Sequence, residues 1–179
     1  MHRFGCLLLI ATIAVAAPPG VGAQQAVPPA APTIGASGGL GGGIAIPVGT
    51  LSKTNAAGYT LSGLVDFSAA DQPYPFRTEL IYQRYDRKTS APAARDMNIV
   101  SLGASLLARN TSKASSAFVL GGIAIYRVTD NGTKPGVNGG IGLEVPLTFF
   151  VGMADVRLHY VLTEGKPMLT IPITLGARF

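Results

Sequence analysis

From Ile34 onward, apolar residues alternate with small or polar ones in runs of about ten residues, separated by clusters of turn formers. Successive side chains on a strand point to opposite faces, so each run predicts a strand with one greasy and one polar face. The last run is the plainest: Leu169, Ile171, Ile173, Leu175, Ala177 and Phe179 alternate with Thr170, Pro172, Thr174, Gly176 and Arg178. Before it, Phe150, Ala154, Val156, Leu158, Tyr160 and Leu162 alternate with Asp155, Arg157 and His159. Val137, Ile141, Leu143, Val145 and Leu147 oppose Asn138, Gly140, Gly142 and Glu144. Val100, Leu102, Ala104, Leu106 and Ala108 oppose Ser101, Gly103, Ser105 and Arg109. Phe76, Leu80 and Tyr82 oppose Arg77, Glu79 and Gln83, and Tyr59, Leu61, Val65 and Phe67 oppose Thr60, Ser62 and Asp66. The first run, Ile34 to Ile46, sets Ile34, Leu40, Ile44 and Ile46 against a face of Gly35, Ser37, Gly39, Gly41 and Gly43. Ala117 to Val128 fits neither pattern, because Val119, Ile123 and Ile125 compete with Phe118, Leu120 and Tyr126 for the apolar side.

These runs predict about eight antiparallel strands joined by short connections, an even number at the lower limit for outer membrane barrels. Thr129 to Lys134 holds an Asn131, Gly132 pair suited to a hairpin. The largest expected loops are Val48 to Gly58 and Asp86 to Met97. Only 13% of the residues are charged, which suggests a membrane environment, yet the longest uncharged stretch, Gln24 to Ser52, is broken by four prolines and many glycines. Hydrocarbon demands that every backbone amide be paired, and only helices and closed barrels achieve this. The expected fold class is therefore all-β: an antiparallel up-and-down transmembrane β-barrel occupying residues 33–179.

The N-terminal segment sets the compartment. Arg3, the apolar stretch Phe4 to Ala17 and the small residues Val21, Gly22 and Ala23 read as a secretory signal peptide spanning 1–23. Pro18, Pro19 and Gly20 stop the apolar run short of the roughly 20 residues of a spanning helix. A proline-, alanine- and glutamine-rich leader, 24–32, follows. Cys6, the single cysteine, lies within the signal, so the mature chain has neither a disulfide framework nor a cysteine metal site. Without Arg3, 13 lysines and arginines face 9 carboxylates. These cations are scattered, so they form no basic stripe of the kind nucleic acid needs.

Alternation alone also fits a soluble lipocalin-like periplasmic binder, with its apolar face turned inward around an apolar ligand. Two features favour the inverted barrel. The polar face carries both charge signs, with Asp66, Glu79, Glu144 and Asp155 accompanying Arg77, Arg157 and Arg178, and His159 beside them. A closed interior would hold such groups as a mutually compensating network. The aromatics also sort by level. With the N-terminus on the periplasmic side, Phe67, Phe76, Phe118, Phe149, Phe150 and Phe179 fall at the inner rim, and Tyr59, Tyr82, Tyr85, Tyr126 and Tyr160 at the outer rim. Only Tyr74 breaks the rule, and the pattern suits aromatic girdles at two membrane interfaces, with the lumen left open as the alternative place for Tyr85 and for either Phe118 and Tyr126 or their neighbours.

The stretches Val137 to Val145 (VNGGIGLEV), Ala154 to Tyr160 (ADVRLHY) and Ile173 to Phe179 (ITLGARF) resemble the small OmpA-like and OmpX-like outer membrane β-barrel family. The resemblance implies that the alternating terminal strand, through Leu175, Ala177 and Phe179, acts as an assembly signal for the barrel-assembly machinery. Members of that family differ widely in role, so fold does not fix function.

Reactive chemistry is sparse. His159 is the only mature histidine; an outer membrane lipid deacylase would need a serine two residues beyond it, where Val161 stands. Gly38 to Gly43 precede no helix pattern and so make no phosphate loop. No catalytic residue, cofactor or metal site is expected. Arg87, Lys88 and Arg95 fall in an expected external loop and are candidate contacts to lipopolysaccharide phosphates. The leading expectation is a non-enzymatic outer membrane protein with a structural or surface-interaction role, its partners being outer membrane lipids and lipopolysaccharide. A narrow passive channel is the alternative, and the identity of any surface partner is left open.

Overall fold

The computed structural model describes residues 34–69, 74–91, 93–110 and 115–179. The expected signal peptide and leader lie outside the described residues. Eight strands follow one another: β1 (Ile34–Val48), β2 (Gly58–Ala69), β3 (Phe76–Tyr85), β4 (Met97–Asn110), β5 (Ser116–Val128), β6 (Gly132–Pro146), β7 (Val151–Val161) and β8 (Met168–Arg178), with one helical turn, α1 (Leu51–Thr54). Each strand pairs antiparallel with its sequence neighbours, and β1 closes the ring against β8. Phe179 completes the seam through reciprocal backbone hydrogen bonds with Gly38 at 2.9 and 3.0 Å. The β5–β6 hairpin turns through two positive-φ residues, Asp130 at 63° and Gly132 at 71°, a conformation that asparagine, aspartate and glycine tolerate best.

Closure leaves no strand edge, and the two faces are sorted in the inverted sense. Leu102, Ile123, Ile141 and Leu175 are each 61–69% exposed, whereas Asp66, Arg77, Glu144 and Arg157 are at most 4% exposed. A soluble binder requires the opposite arrangement, with its aliphatic side chains inside. A continuous belt of leucine, isoleucine and valine around a ring of paired backbone is the surface that hydrocarbon stabilises.

The structure resolves β5 and revises the aromatic pattern. Phe118, Leu120, Ala124, Tyr126 and Val128 point inward and are buried, while Val119, Ile123 and Ile125 point outward. Tyr85 also points inward. At the loop end the expected girdle thus keeps Tyr59, Tyr82 and Tyr160 and loses Tyr85 and Tyr126, and Phe118 leaves the opposite rim for the lumen. The physical reason is volume: a narrow lumen needs large side chains to fill it, and β5 supplies them from its inward face while its outward face stays apolar.

Candidate functional site

Strand parity builds the lumen. Near the end where β1 begins and β8 finishes, five charged side chains from five strands meet: Asp66 on β2, Arg77 on β3, Arg109 on β4, Glu144 on β6 and Arg178 on β8. Arg77 grips Asp66 with two parallel contacts, Nε to Oδ1 at 2.6 Å and Nη2 to Oδ2 at 3.0 Å. Arg109 Nη2 joins Asp66 Oδ2 at 2.6 Å and Glu144 Oε1 at 3.2 Å, and Arg178 Nη2 donates to Glu144 Oε2 at 3.0 Å. The Arg77 guanidinium also lies over the Phe118 ring, 5.4 Å from its centroid.

One level further along the axis, Arg157 donates to Asp155 at 2.8 and 3.3 Å and to Glu79 across the lumen. Four arginines thus meet four carboxylates, and the interior carries no net formal charge. This balance is what allows so many ions to sit inside a low-dielectric tube. Beside them, His159 Nδ1 and Tyr126 Oη are 3.1 Å apart, with the two rings edge to face. The hydroxyls of Tyr85 and Thr170 both donate to Gln83 Oε1, at 2.8 and 3.3 Å.

Glycines of β6 make room for these groups. A Cβ at Gly142 would stand 2.2 Å from the Phe118 ring, one at Gly140 2.7 Å from Arg157 Cγ, and one at Gly136 2.8 Å from the Tyr126 ring, and each would also meet a backbone oxygen of β7, of Ala154 at 2.7, Val156 at 2.5 and Tyr160 at 2.4 Å respectively. At these three positions β6 presents only backbone to the large side chains of β5 and β7 and to the β7 backbone beside it.

Toward the loop end the lumen changes character. Ala45, Tyr85, Met97, Ile99, Val128, Val161 and Met168 form one buried apolar cluster, and Leu51 of α1 packs against it from the mouth. Above this plug the β1–β2 and β3–β4 connections are laced together: Ala56 N donates to Asp86 O at 2.9 Å, Lys88 N to Thr54 O at 2.8 Å, and Asn55 Nδ2 to Arg95 O at 3.1 Å. Between plug and ions, a void beside Glu79, Asn138, Arg157 and His159 measures about 10 Å³, enough for a single water.

All eight residues expected in a polar network lie within the lumen, but in two adjoining groups rather than one. Arg109 was missing from that expected set. Its inward parity was visible, yet its role depends on Asp66 and Glu144, 43 and 35 residues away. Leu175, Ala177 and Phe179 share the outward face of β8 and the residue that follows it. Arg87, Lys88 and Arg95 sit on the laced rim, where Lys88 Nζ donates to the Ser52 carbonyl and Arg95 stands 3.4 Å from Asp130. The rim is therefore less basic than a count of its cations suggests. Among the described residues no group of three or more side chains is placed to hold a metal.

No family model matches the chain, and no curated protein matches it. Solved structures do. Neisserial surface protein A aligns over 82% of this chain and 97% of its own with a TM-score of 0.61 at 15% identity. The outer membrane protein OprG of Pseudomonas aeruginosa aligns over 80% and 95% with a TM-score of 0.50 at 12% identity. At such identities the likeness is one of fold: the chain has the eight-stranded architecture of the small OmpA-like and OmpX-like outer membrane barrels.

Proposed function

We propose that this chain is a non-conducting, non-enzymatic protein of the bacterial outer membrane whose work is done by its surfaces. The observation that carries this reading is the filled lumen, ion-paired in one half and plugged by apolar side chains in the other. A tube with no continuous water path offers no route for a solute, and its one histidine is committed to Tyr126 with apolar Val161 two residues on.

In this reading the segment 1–23 directs export and the N-terminus lies in the periplasm. The connections at the terminal end are short, and outer membrane barrels keep short turns on the periplasmic side and longer loops outside. Arg87, Lys88 and Arg95 then face the lipopolysaccharide headgroups, with attraction that salt weakens. Leu175, Ala177 and Phe179 present an apolar edge to the barrel-assembly machinery. Planar-bilayer recording tests the central point: the refolded protein should give no steady unitary current, and reproducible single-channel steps would overturn the sealed-lumen reading in favour of a narrow channel.

A further inference from the structure

We propose that the outward face of β4, β5 and β6 is a binding site for one phosphorylated acyl glycolipid, lipopolysaccharide, with Arg127 holding a phosphate and the furrow beneath it holding an acyl chain. This rests on the orientation proposed above, which puts the loop end in the outer leaflet.

Arg127 lies near the loop end of β5 between Tyr126 and Val128, both buried in the lumen, so its own side chain is directed outward to the membrane face. Among the described residues it has no ion-pair or hydrogen-bond partner. Arg84, outward at a similar level on β3, differs: Asp86 and Asp96 stand 3.5 and 3.6 Å from its guanidinium. An arginine at the rim of an apolar belt is best stabilised by an anion of the surrounding lipid, and its planar fork matches a phosphate. Thr133 pairs with Arg127 across the β5–β6 ladder and brings a hydroxyl to the same spot.

Directly beneath the cation the surface is hollow. Ile125, one outward step below Arg127, pairs with Leu102 on one side and Pro135 on the other. These three, with Ile123, Val137 and Leu162, line a lipid-facing furrow of about 620 Å³ floored in part by Ala104. Further down, Gly121 pairs with Gly139, and a Cβ at Gly121 would meet nothing within 4 Å. This notch leads toward a second furrow of about 530 Å³ lined by Val119, Ile141, Leu143 and Ala154. A lone guanidinium above a long apolar trough is complementary to an amphiphile with an anionic head and extended chains.

The test is native mass spectrometry of the folded, detergent-extracted barrel with three lipids: bisphosphorylated lipid A, its dephosphorylated form and phosphatidylglycerol. Arg127→Gln should weaken the bisphosphorylated form by about tenfold while leaving the dephosphorylated form unchanged, as loss of one bidentate ionic contact implies. Arg84→Gln should leave both within about twofold of the parent, its charge being already compensated. Ala104→Leu, which raises the furrow floor, should weaken both forms of lipid A alike. Each variant is first shown to migrate as a folded barrel on an unheated gel. Parent-like binding by Arg127→Gln, or phosphatidylglycerol binding as tightly as lipid A, would overturn the proposal. Labelling of Ser90→Cys by an impermeant thiol reagent on intact cells tests the orientation separately. Absence of labelling would remove the outer-leaflet assignment, whereas a failed lipid result with positive labelling would leave orientation standing and reject the site.

Discussion

At the end where β1 begins and β8 finishes, the lumen is filled by arginines and carboxylates drawn from six strands. At the loop end it is filled by Tyr85, Met97, Ile99, Val128, Val161 and Met168. Both halves fill the bore, but they do so under different rules. An ionic interior demands that every charge be matched, because a partner left alone in a low-dielectric site carries its full desolvation penalty. An apolar plug demands only volume, and its loss on truncation is graded. The ionic half is therefore brittle to single changes and repairable by compensating ones, whereas the apolar half degrades in proportion to what is removed.

The largest expected effect comes from breaking the ionic half with Arg157→Met, which strands Glu79 and Asp155. It should cost about 3–5 kcal/mol, read from the urea unfolding midpoint in lipid vesicles. Adding Glu79→Gln and Asp155→Asn should recover most of that loss. A single variant as stable as the parent would remove the distinction between the halves. In the plug, Met168→Ala should cost about 2–3 kcal/mol by the same titration, since the mouth collapses only in part around the hole. Gly142→Ala should cost about 1–2 kcal/mol through overlap with the Phe118 ring and with the Ala154 carbonyl oxygen, and Phe118→Leu in the same chain should relieve the part due to the ring. If Phe118→Leu gives no relief, the Phe118 ring is not why glycine stands there.

The smallest effect lies outside the lumen. Lys134 Nζ, 2.8 Å from the exposed Glu164 carboxylate, holds that carboxyl below its ordinary range. A lowered folded-state value means any stabilisation is present above the usual glutamate range and fades as pH falls through the folded value. Solvent screens this pair, so Glu164→Gln at pH 7 should leave the unfolding midpoint within error of the parent. A clear shift would show that loop contacts hold the plug in place.

The barrel was legible wherever one face of a strand is apolar and the other is not. Asp155, Arg157 and His159 between Ala154, Val156, Leu158 and Tyr160 leave β7 only one register of faces. β5 was illegible for the same reason: its lumen face carries Phe118, Leu120 and Tyr126, as apolar as the Val119, Ile123 and Ile125 it turns outward. A tyrosine's level along a strand leaves open which face it occupies, and Tyr85 and Tyr126 take the inward one. The division of the ions into two groups, the place of Arg109 and the lacing of Asn55 to Arg95 depend on contacts between distant strands. Periodicity carries no trace of those.

Because the chain contains no tryptophan, single tryptophans can report which face meets lipid. Brominated acyl chains in the bilayer should strongly quench fluorescence from Leu102→Trp and Leu158→Trp, and leave Phe118→Trp bright. Quenching at position 118 with protection at 102 and 158 would mean that the faces are reversed, and an inside-out barrel with a sealed, ion-paired lumen would be the wrong description of this protein.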